Sequence, residues 1–129
     1  MTGVVLDAPA LLALSRDERG ATKVAEHLDG ALMSSVNLAE VVGHYARLGA
    51  DRTDIQAMLS PLPIEIVPVD AGVAFEAGMM RVIGEAAGLS LGDRICLSLA
   101  KGRQARSLTA DRAWEGIAKE LGVEVDLVR

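Results

Sequence analysis

The sequence is poor in the residues on which disulfide frameworks and nucleobase stacking depend. Its 129 residues include one cysteine, Cys96, which excludes an internal disulfide and fits a reducing compartment. Cys96 lies in the apolar segment DRICLSLA (93–100), where packing in the core is expected. Only Tyr45, Phe75 and Trp114 are aromatic, so base stacking cannot be the main way in which this chain recognises a nucleic acid.

Long apolar segments and an excess of positive charge are missing as well. No stretch approaches the roughly 20 apolar residues that cross a bilayer. The first residues, MTGVVLD, have neither the basic segment nor the apolar core of a signal peptide. The net charge of −5 repels nucleic acids and anionic membranes, so binding a polyanion would need a local basic surface or a bridging cation. We expect a cytoplasmic protein that does not bind membranes.

Short apolar segments alternate with helical patterns along the chain. Strands are predicted at 4–8, 31–36, 64–69, 105–111 and 123–128, and helices at 9–18, 21–29, 37–49, 51–60, 70–88, 90–104 and 113–122. The strands are continuous apolar runs, which favours a parallel sheet covered by helices on both faces. Pro68 indicates that the third strand lies at an edge of this sheet, and nothing in the sequence divides the chain, so we expect one domain over residues 1–129.

Four acidic residues fall where this topology brings chain ends together. Asp7 and Asp111 end the first and fourth strands, while Glu40 and Asp93 lie in the first turns of two helices. Ligands of parallel sheets bind beyond the carboxyl ends of the strands, and the helices that start there share that edge. If the first and fourth strands are neighbours, all four carboxylates meet in one crevice.

Gathering four negative charges is unfavourable unless a cation compensates them. Carboxylate ligands select Mg²⁺ or Mn²⁺, and the two histidines, His27 and His44, are not spaced as a metal pair. A metal in such a site binds a phosphate oxygen and lowers the pKa of a bound water. The arrangement therefore favours hydrolysis of phosphodiester bonds.

Each acid also has a structural interpretation. Asn37 with Glu40, and Ser90 with Asp93, have the spacing of capping boxes, and Asp7 and Asp111 can cap the helices that follow them. Taken singly, each of the four is better explained by capping, and only their joint occurrence favours a metal site. Asp70 and Asp126 are left out of the site, because they follow an edge strand and lie inside the last strand, respectively.

A locally basic stretch accompanies the last two acids. Between residues 94 and 112 the chain carries Arg94, Lys101, Arg103, Arg106 and Arg112 against Asp111 alone. Such a stretch can follow a phosphate backbone. For Lys101 and Arg103 a solvated helix face explains the charge equally well, and Trp114 is expected in the core.

Four segments of the chain resemble, in order and spacing, the four motifs of PIN-domain proteins. They are VVLDAPALLAL (4–14), SSVNLAEVV (34–42), LSLGDRICLSLA (89–100) and LTADRAW (108–114), and they are most similar to those of VapC-like toxins of bacterial toxin–antitoxin pairs. The resemblance implies a three-layer α/β/α sandwich with a five-stranded parallel sheet. It also implies a Mg²⁺-dependent endoribonuclease, usually a homodimer, neutralised by a VapB-like antitoxin whose carboxyl tail covers the active-site groove.

The resemblance also implies roles for individual residues. Asp7 and Asp93 would bind the metal directly, Glu40 would assist through water, and Asp111 would be an outer or second-metal ligand. Residues expected to contact RNA are Arg94, Arg112, Thr109 and Asn37. One departure is that the family often has Ser or Thr just after the first Asp, where this chain has Ala8 and Pro9. The Thr109 hydroxyl is the candidate replacement.

Two other functions stay open on the sequence alone. A PIN-like fold that binds without cleaving is suggested by the missing hydroxyl at Ala8 and Pro9. A phosphoacceptor receiver domain shares the size, the parallel sheet and an acidic Mg²⁺ pocket. It needs a second acid beside Asp7 and a Lys after a late strand, and both are lacking.

Overall fold

A single sheet of five parallel strands organises the chain. The computed structural model describes residues 3–129. Its strands are β1 (Val4–Leu6), β2 (Leu32–Ser34), β3 (Glu65–Val67), β4 (Arg106–Thr109) and β5 (Glu124–Leu127). They are arranged in the order β3-β2-β1-β4-β5, and every pairing is parallel. The first and fourth strands are therefore central neighbours, which meets the condition for the four acids to converge. The third strand lies at an edge, as predicted.

Helices connect the strands and cover both faces of the sheet. They are α1 (Ala8–Ser15), α2 (Ala21–Glu26), α3 (Ser35–Arg47), α4 (Arg52–Leu59), α5 (Ala71–Met79), α6 (Arg81–Gly84), α7 (Leu91–Arg103) and α8 (Ala118–Leu121), with a 3₁₀ turn at Arg112–Trp114. No helix within residues 3–129 has both the length and the hydrophobicity to span a bilayer.

Side chains that alternate along the strands form two separate cores. Val5 of β1 joins a cluster with residues of α7 and the 3₁₀ turn, including the buried Cys96 and Trp114. Val4 and Leu6 point to the opposite face and join a cluster with residues of α1, α2 and α3. The fold is thus a three-layer α/β/α sandwich, as expected, and Cys96 and Trp114 are core residues.

Two long predicted helices are each divided in the structure. The helix expected over 70–88 ends at Met79 and resumes as the short α6, after which Gly88 adopts a positive φ and Leu89 packs against Gly84. The helix expected over 113–122 becomes the 3₁₀ turn and α8. Glycines at 78, 84, 88 and 116 lower the helix propensity of both segments, so tertiary packing sets their boundaries.

Helix α3 begins two residues earlier than expected, and its predicted cap is wrong. Ser34, not Asn37, is the N-cap, and its hydroxyl accepts a hydrogen bond from the Asn37 N–H at 3.0 Å. Asn37 is therefore inside the first turn, where it is almost completely buried. Its side chain is consequently available for contacts other than capping.

Candidate active site

Asp7 occupies the centre of the carboxyl edge of the sheet, directly after β1. Its Oδ1 accepts a hydrogen bond from the Ala10 N–H at 2.8 Å, so it caps α1 as predicted. Its Oδ2 accepts a hydrogen bond from the Thr109 hydroxyl of β4 at 2.5 Å. Only 1% of the residue is exposed to solvent. Both carboxylate oxygens are thus anchored, one by each of two neighbouring elements.

The environment of Asp7 disfavours a negative charge. The pKa of its carboxyl group is raised from 3.8 to about 7. Burial is the largest cause, the charges of Asp93 and Glu40 act in the same direction, and the hydrogen bonds from Thr109 and Ala10 partly oppose them. The structure therefore brings three of the four predicted acids within electrostatic range of one another. A nearby cation would reverse the balance in favour of the ionised carboxylate.

Asp93 reaches this edge because α7 starts there. Its backbone N–H donates to the Ser90 hydroxyl at 3.1 Å, and its Oδ2 accepts from the Ser90 N–H at 2.8 Å. This capping box was predicted, and it fixes the Asp93 side chain at the helix start. Asp93 therefore both caps α7 and belongs to the acidic cluster.

Glu40 lies beside the start of α7, although it belongs to α3. Its Oε1 accepts a hydrogen bond from the Asn37 side-chain amide at 2.7 Å. A side chain at Gly92 would collide with the Glu40 carboxylate, since a Cβ there would be 2.5 Å from Oε2. The predicted capping role of Glu40 toward Asn37 is therefore replaced by contact between two helices.

Asp111 is connected to this cluster through Thr109. Its backbone N–H donates to the Thr109 hydroxyl at 3.0 Å, while its own Oδ1 accepts from the Ala113 N–H at 3.0 Å. It thus caps the 3₁₀ turn that replaces the predicted helix. The Asp111 side chain is exposed, so it lies on the solvent side of the same edge.

The donor atoms of this cluster suit a hydrated magnesium ion. Across residues 3–129, no three His, Cys, Asp or Glu side chains are grouped tightly enough to hold a metal ion as they stand. Mg²⁺ does not require such a group, because it keeps several waters and is commonly held by one or two carboxylates. A buried, anchored carboxylate facing two like charges fits that kind of ion.

The basic residues of the predicted stretch have different surroundings. Arg94 is half-buried, and its Nη1 donates to the Ala77 carbonyl at 3.0 Å, which ties α7 to α5. Lys101 pairs with Glu76 at 2.8 Å and Arg106 with Asp126 at 3.1 Å. Of the basic residues in this stretch, Arg103 and Arg112 are exposed and form no ion pair within residues 3–129. Arg112 is the one next to Asp111.

Thr109 and Asn37 are nearly inaccessible to a substrate in this structure. Thr109 is fully buried and Asn37 is 1% exposed. Both make hydrogen bonds to acids of the cluster, Asp7 and Glu40 respectively. The structure thus shows contacts of Thr109 and Asn37 with the carboxylates, while their contact with RNA stays a prediction.

Two apolar surfaces have no counterpart in the sequence-based predictions. Phe75, Met79 and Val82 on α5 and α6 are 73%, 62% and 83% exposed. These residues are spaced by four and then three positions, which is typical of one helix face. This spacing is the feature of the sequence from which the apolar surface could have been predicted. A second apolar surface is a groove of about 760 Å³ between α3, α4 and β3, whose floor includes Val42, Ile55 and Ile66.

The chain belongs to the PIN domain family, whose sequence model matches residues 4–120. No curated protein is similar enough in sequence to match the chain. Among solved structures, it is similar to a toxin–antitoxin complex from Klebsiella pneumoniae, with a TM-score of 0.75, 18% identity and 98% of each chain covered. The DNA-bound VapBC from Salmonella typhimurium gives a TM-score of 0.73 at 16% identity, with 100% of each chain covered.

A third similar structure is VapBC2 from Rickettsia felis bound to a promoter DNA fragment, with a TM-score of 0.70 and 20% identity. The match covers 96% of this chain and 97% of the Rickettsia felis chain. At these identities the similarity defines the fold, and it agrees with the family assignment.

The strand order β3-β2-β1-β4-β5 differs from the 2-1-3-4-5 order of receiver domains, in which the acceptor Asp follows a central strand.

Proposed function

We propose that this protein is a VapC-like toxin, a Mg²⁺-dependent endoribonuclease that hydrolyses RNA phosphodiester bonds with water. The observation that carries the proposal is the buried Asp7 carboxylate, held on both oxygens and facing the charges of Asp93 and Glu40. PIN-family membership and toxin–antitoxin complexes among the structural relatives support it.

Asp7 and Asp93 would hold the metal ion, with Glu40 and Asp111 at its periphery. When bound, Mg²⁺ polarises a phosphate oxygen and lowers the pKa of a water. The Thr109 and Ala10 donors hold the ionised Asp7 in a fixed orientation. The Glu40 carboxylate, held at Oε1 by the Asn37 amide, would orient a water. Arg112, which is exposed beside Asp111, would pair with a phosphate of the substrate.

The direct test is cleavage of total cellular RNA by the purified protein, with mapping of the RNA ends. We expect cleavage with Mg²⁺, none with EDTA, and loss of at least about 100-fold in Asp7→Ala and Asp93→Ala, as for removal of a key electrostatic group. Asp70→Asn is the matched control, since Asp70 caps α5 outside the cluster and Asn caps equally well. Equal cleavage by the wild type and both cluster variants would refute the proposal.

A cognate antitoxin is the partner that this function requires. The similar structures include complexes of toxin with antitoxin. We propose that an amphipathic helix of the antitoxin lies with its apolar face in the groove between α3, α4 and β3, since such helices bind apolar grooves of this kind. Exposed Arg52 and Gln56 at its margin would face the polar side of that helix.

Co-purification with the product of the neighbouring gene tests this partner. Ala46 is exposed and lines the groove, so Ala46→Glu is expected to preserve the fold and prevent stable co-purification. Ala25→Glu, on the exposed side of α2, is the control and should co-purify normally. Equal recovery with both variants would place the antitoxin on another surface.

We also propose that the protein is a homodimer that meets its second copy through α5 and α6. From Ala71 to Gly88 the exposed residues are uncharged except for Arg81 and Glu85. Large exposed side chains at Phe75, Met79 and Val82 alternate with small ones at Ala74 and Gly78. We expect such a face to pair with the same face of a second copy across a two-fold axis.

A PIN-like module that binds without cleaving is the alternative function. The observation behind it is the absence of a hydroxyl at Ala8 and Pro9. The Thr109 hydroxyl, which reaches Asp7 from the adjacent strand, weakens that alternative. Titration with Mn²⁺ alongside the cleavage assay separates the two, because the alternative predicts metal binding with intact RNA.

A further inference from the structure

The Glu40 carboxylate is held at the acidic cluster by two residues that bear no charge. Glu40 is exposed on α3, but its carboxylate also has neighbours in the protein. It lies against the first turn of α7, between Asn37 on its own helix and Gly92 on the other. We refer to Asn37 and Gly92 together as the Glu40 support.

Asn37 can adopt one amide orientation only. Its Oδ1 accepts from the Ser34 hydroxyl at 2.7 Å, and its Nδ2 donates to Glu40 Oε1 at 2.7 Å and to the Gly92 carbonyl at 3.2 Å. A flipped amide would place its oxygen against a carboxylate and a carbonyl, both of which are acceptors. The donor side of Asn37 is therefore fixed toward Glu40, with no hydrogen left for a substrate.

Gly92 supplies the space in which the Glu40 carboxylate lies. A Cβ at position 92 would be 2.5 Å from Oε2 and 2.8 Å from both Cδ and Oε1. These distances are far below van der Waals contact, but the atoms concerned are the end of a flexible side chain. A larger residue at position 92 would thus displace Glu40 while leaving the backbone in place.

Glu40 matters at this position because it contributes to the field around Asp7. Gly92 directly precedes Asp93, so the support places the Glu40 carboxylate beside the first turn that carries the second acid. We infer that Asn37 and Gly92 are positioning residues for Glu40. This inference rests on the proposed nuclease function and deepens it, assigning Asn37 to the arrangement of the carboxylates and not to contact with RNA.

Gly92→Ala gives the sharpest test, because its effects on folding and activity should have opposite signs. Alanine is a better helix former than glycine, so we expect a melting temperature no lower than that of the wild type. We also expect Mg²⁺-dependent cleavage to fall by about 10- to 100-fold, as for other residues that orient metal ligands. Gly102→Ala is the matched control on α7, where an added Cβ meets nothing within 4 Å, and it should cleave normally.

A double-mutant cycle shows whether the support acts through Glu40. Asn37→Ala and Gly92→Ala should each weaken cleavage in the wild type but cause no further loss in a Glu40→Gln background. An equal loss in both backgrounds would overturn the inference, as would normal cleavage by Gly92→Ala.

Mn²⁺ affinity, measured by calorimetry on the same variants without RNA, separates this inference from the proposed function. If the wild type binds Mn²⁺ but cleaves no RNA, the proposed function fails, and weaker Mn²⁺ binding by Gly92→Ala than by Gly102→Ala still supports the inference. Equal Mn²⁺ affinity in those two variants, or no Mn²⁺ binding by the wild type, would overturn it.

Discussion

The Thr109 hydroxyl donates a 2.5 Å hydrogen bond to Asp7 Oδ2 and joins β4 to the end of β1. The same oxygen of Thr109 accepts from the Asp111 N–H at 3.0 Å. One buried hydroxyl therefore connects the central acid to the segment that carries the outermost one. It also supplies, from a neighbouring strand, the hydroxyl that Ala8 and Pro9 do not provide.

Replacing Thr109 by valine should weaken both stability and cleavage. The valine keeps the shape of the side chain but leaves Asp7 Oδ2 and the Asp111 N–H without their partner. Each unsatisfied buried group costs about 1–3 kcal/mol of unfolding free energy. Urea unfolding and RNA cleavage should show both losses in Thr109→Val, whereas Thr109→Ser keeps the hydroxyl and should retain most of both. Identical behaviour of the two variants would mean that this hydrogen bond contributes nothing.

The raised pKa of Asp7 makes the stability of the metal-free protein depend on pH. Its pKa is about 7 in the folded chain against 3.8 without burial, so between pH 4 and 7 the folded state binds more protons than the unfolded state. Stability from this group is therefore complete below about pH 4 and is lost as the pH rises toward 7. The loss amounts to roughly 4 kcal/mol, at 1.36 kcal/mol per pH unit.

Asp7→Asn isolates this contribution, because asparagine stays neutral over the whole range. We expect the variant to be more stable than the wild type at pH 7.5 in EDTA. At pH 4 the difference in unfolding free energy between the two proteins should be smaller. Urea unfolding from pH 4 to 8 gives the difference in unfolding free energy between the two proteins. A difference that stays constant with pH would contradict the assignment, and added Mg²⁺ should narrow it by stabilising the wild type alone.

Strand and helix alternation was enough to place the four acids at one edge of the sheet. Asp7 and Asp111 follow strands and Asp93 opens a helix, and those positions depend on local sequence patterns and on parallel topology. Glu40 lies in the second turn of α3 and not in the first turn as predicted, because the helix begins earlier. The role of Asn37 could not be predicted, because Asn-x-x-Glu has the capping-box spacing and Ser34 offers a competing cap three residues earlier. Gly92 carries no local signal, since the atoms it accommodates belong to a helix more than fifty residues away.

Asp111 combines capping with charge, and two substitutions separate these roles. Asp111→Asn keeps an oxygen to accept from the Ala113 N–H, so its stability should match the wild type. Asp111→Ala should lose about 1 kcal/mol of unfolding free energy with the cap. If the carboxylate serves the metal site, both variants should cleave RNA about 10- to 100-fold more slowly. Normal cleavage by Asp111→Asn would leave Asp111 with capping alone.

The exposed face of α5 and α6 gives a prediction about assembly. We expect the wild type to be a dimer and Met79→Asp to be a monomer. In a two-fold dimer both copies carry the substitution, so dimerisation would bury two unpaired carboxylates, which is strongly unfavourable. Met79 is 62% exposed in the single chain, so the substitution should not disturb folding. Leu48→Asp is the matched control, since Leu48 is 71% exposed at the end of α3 and should leave the dimer intact. Sedimentation equilibrium over a range of concentrations measures the outcome. A monomeric wild type, or a Met79→Asp protein that dimerises as tightly as Leu48→Asp, would show that this face does not pair with itself.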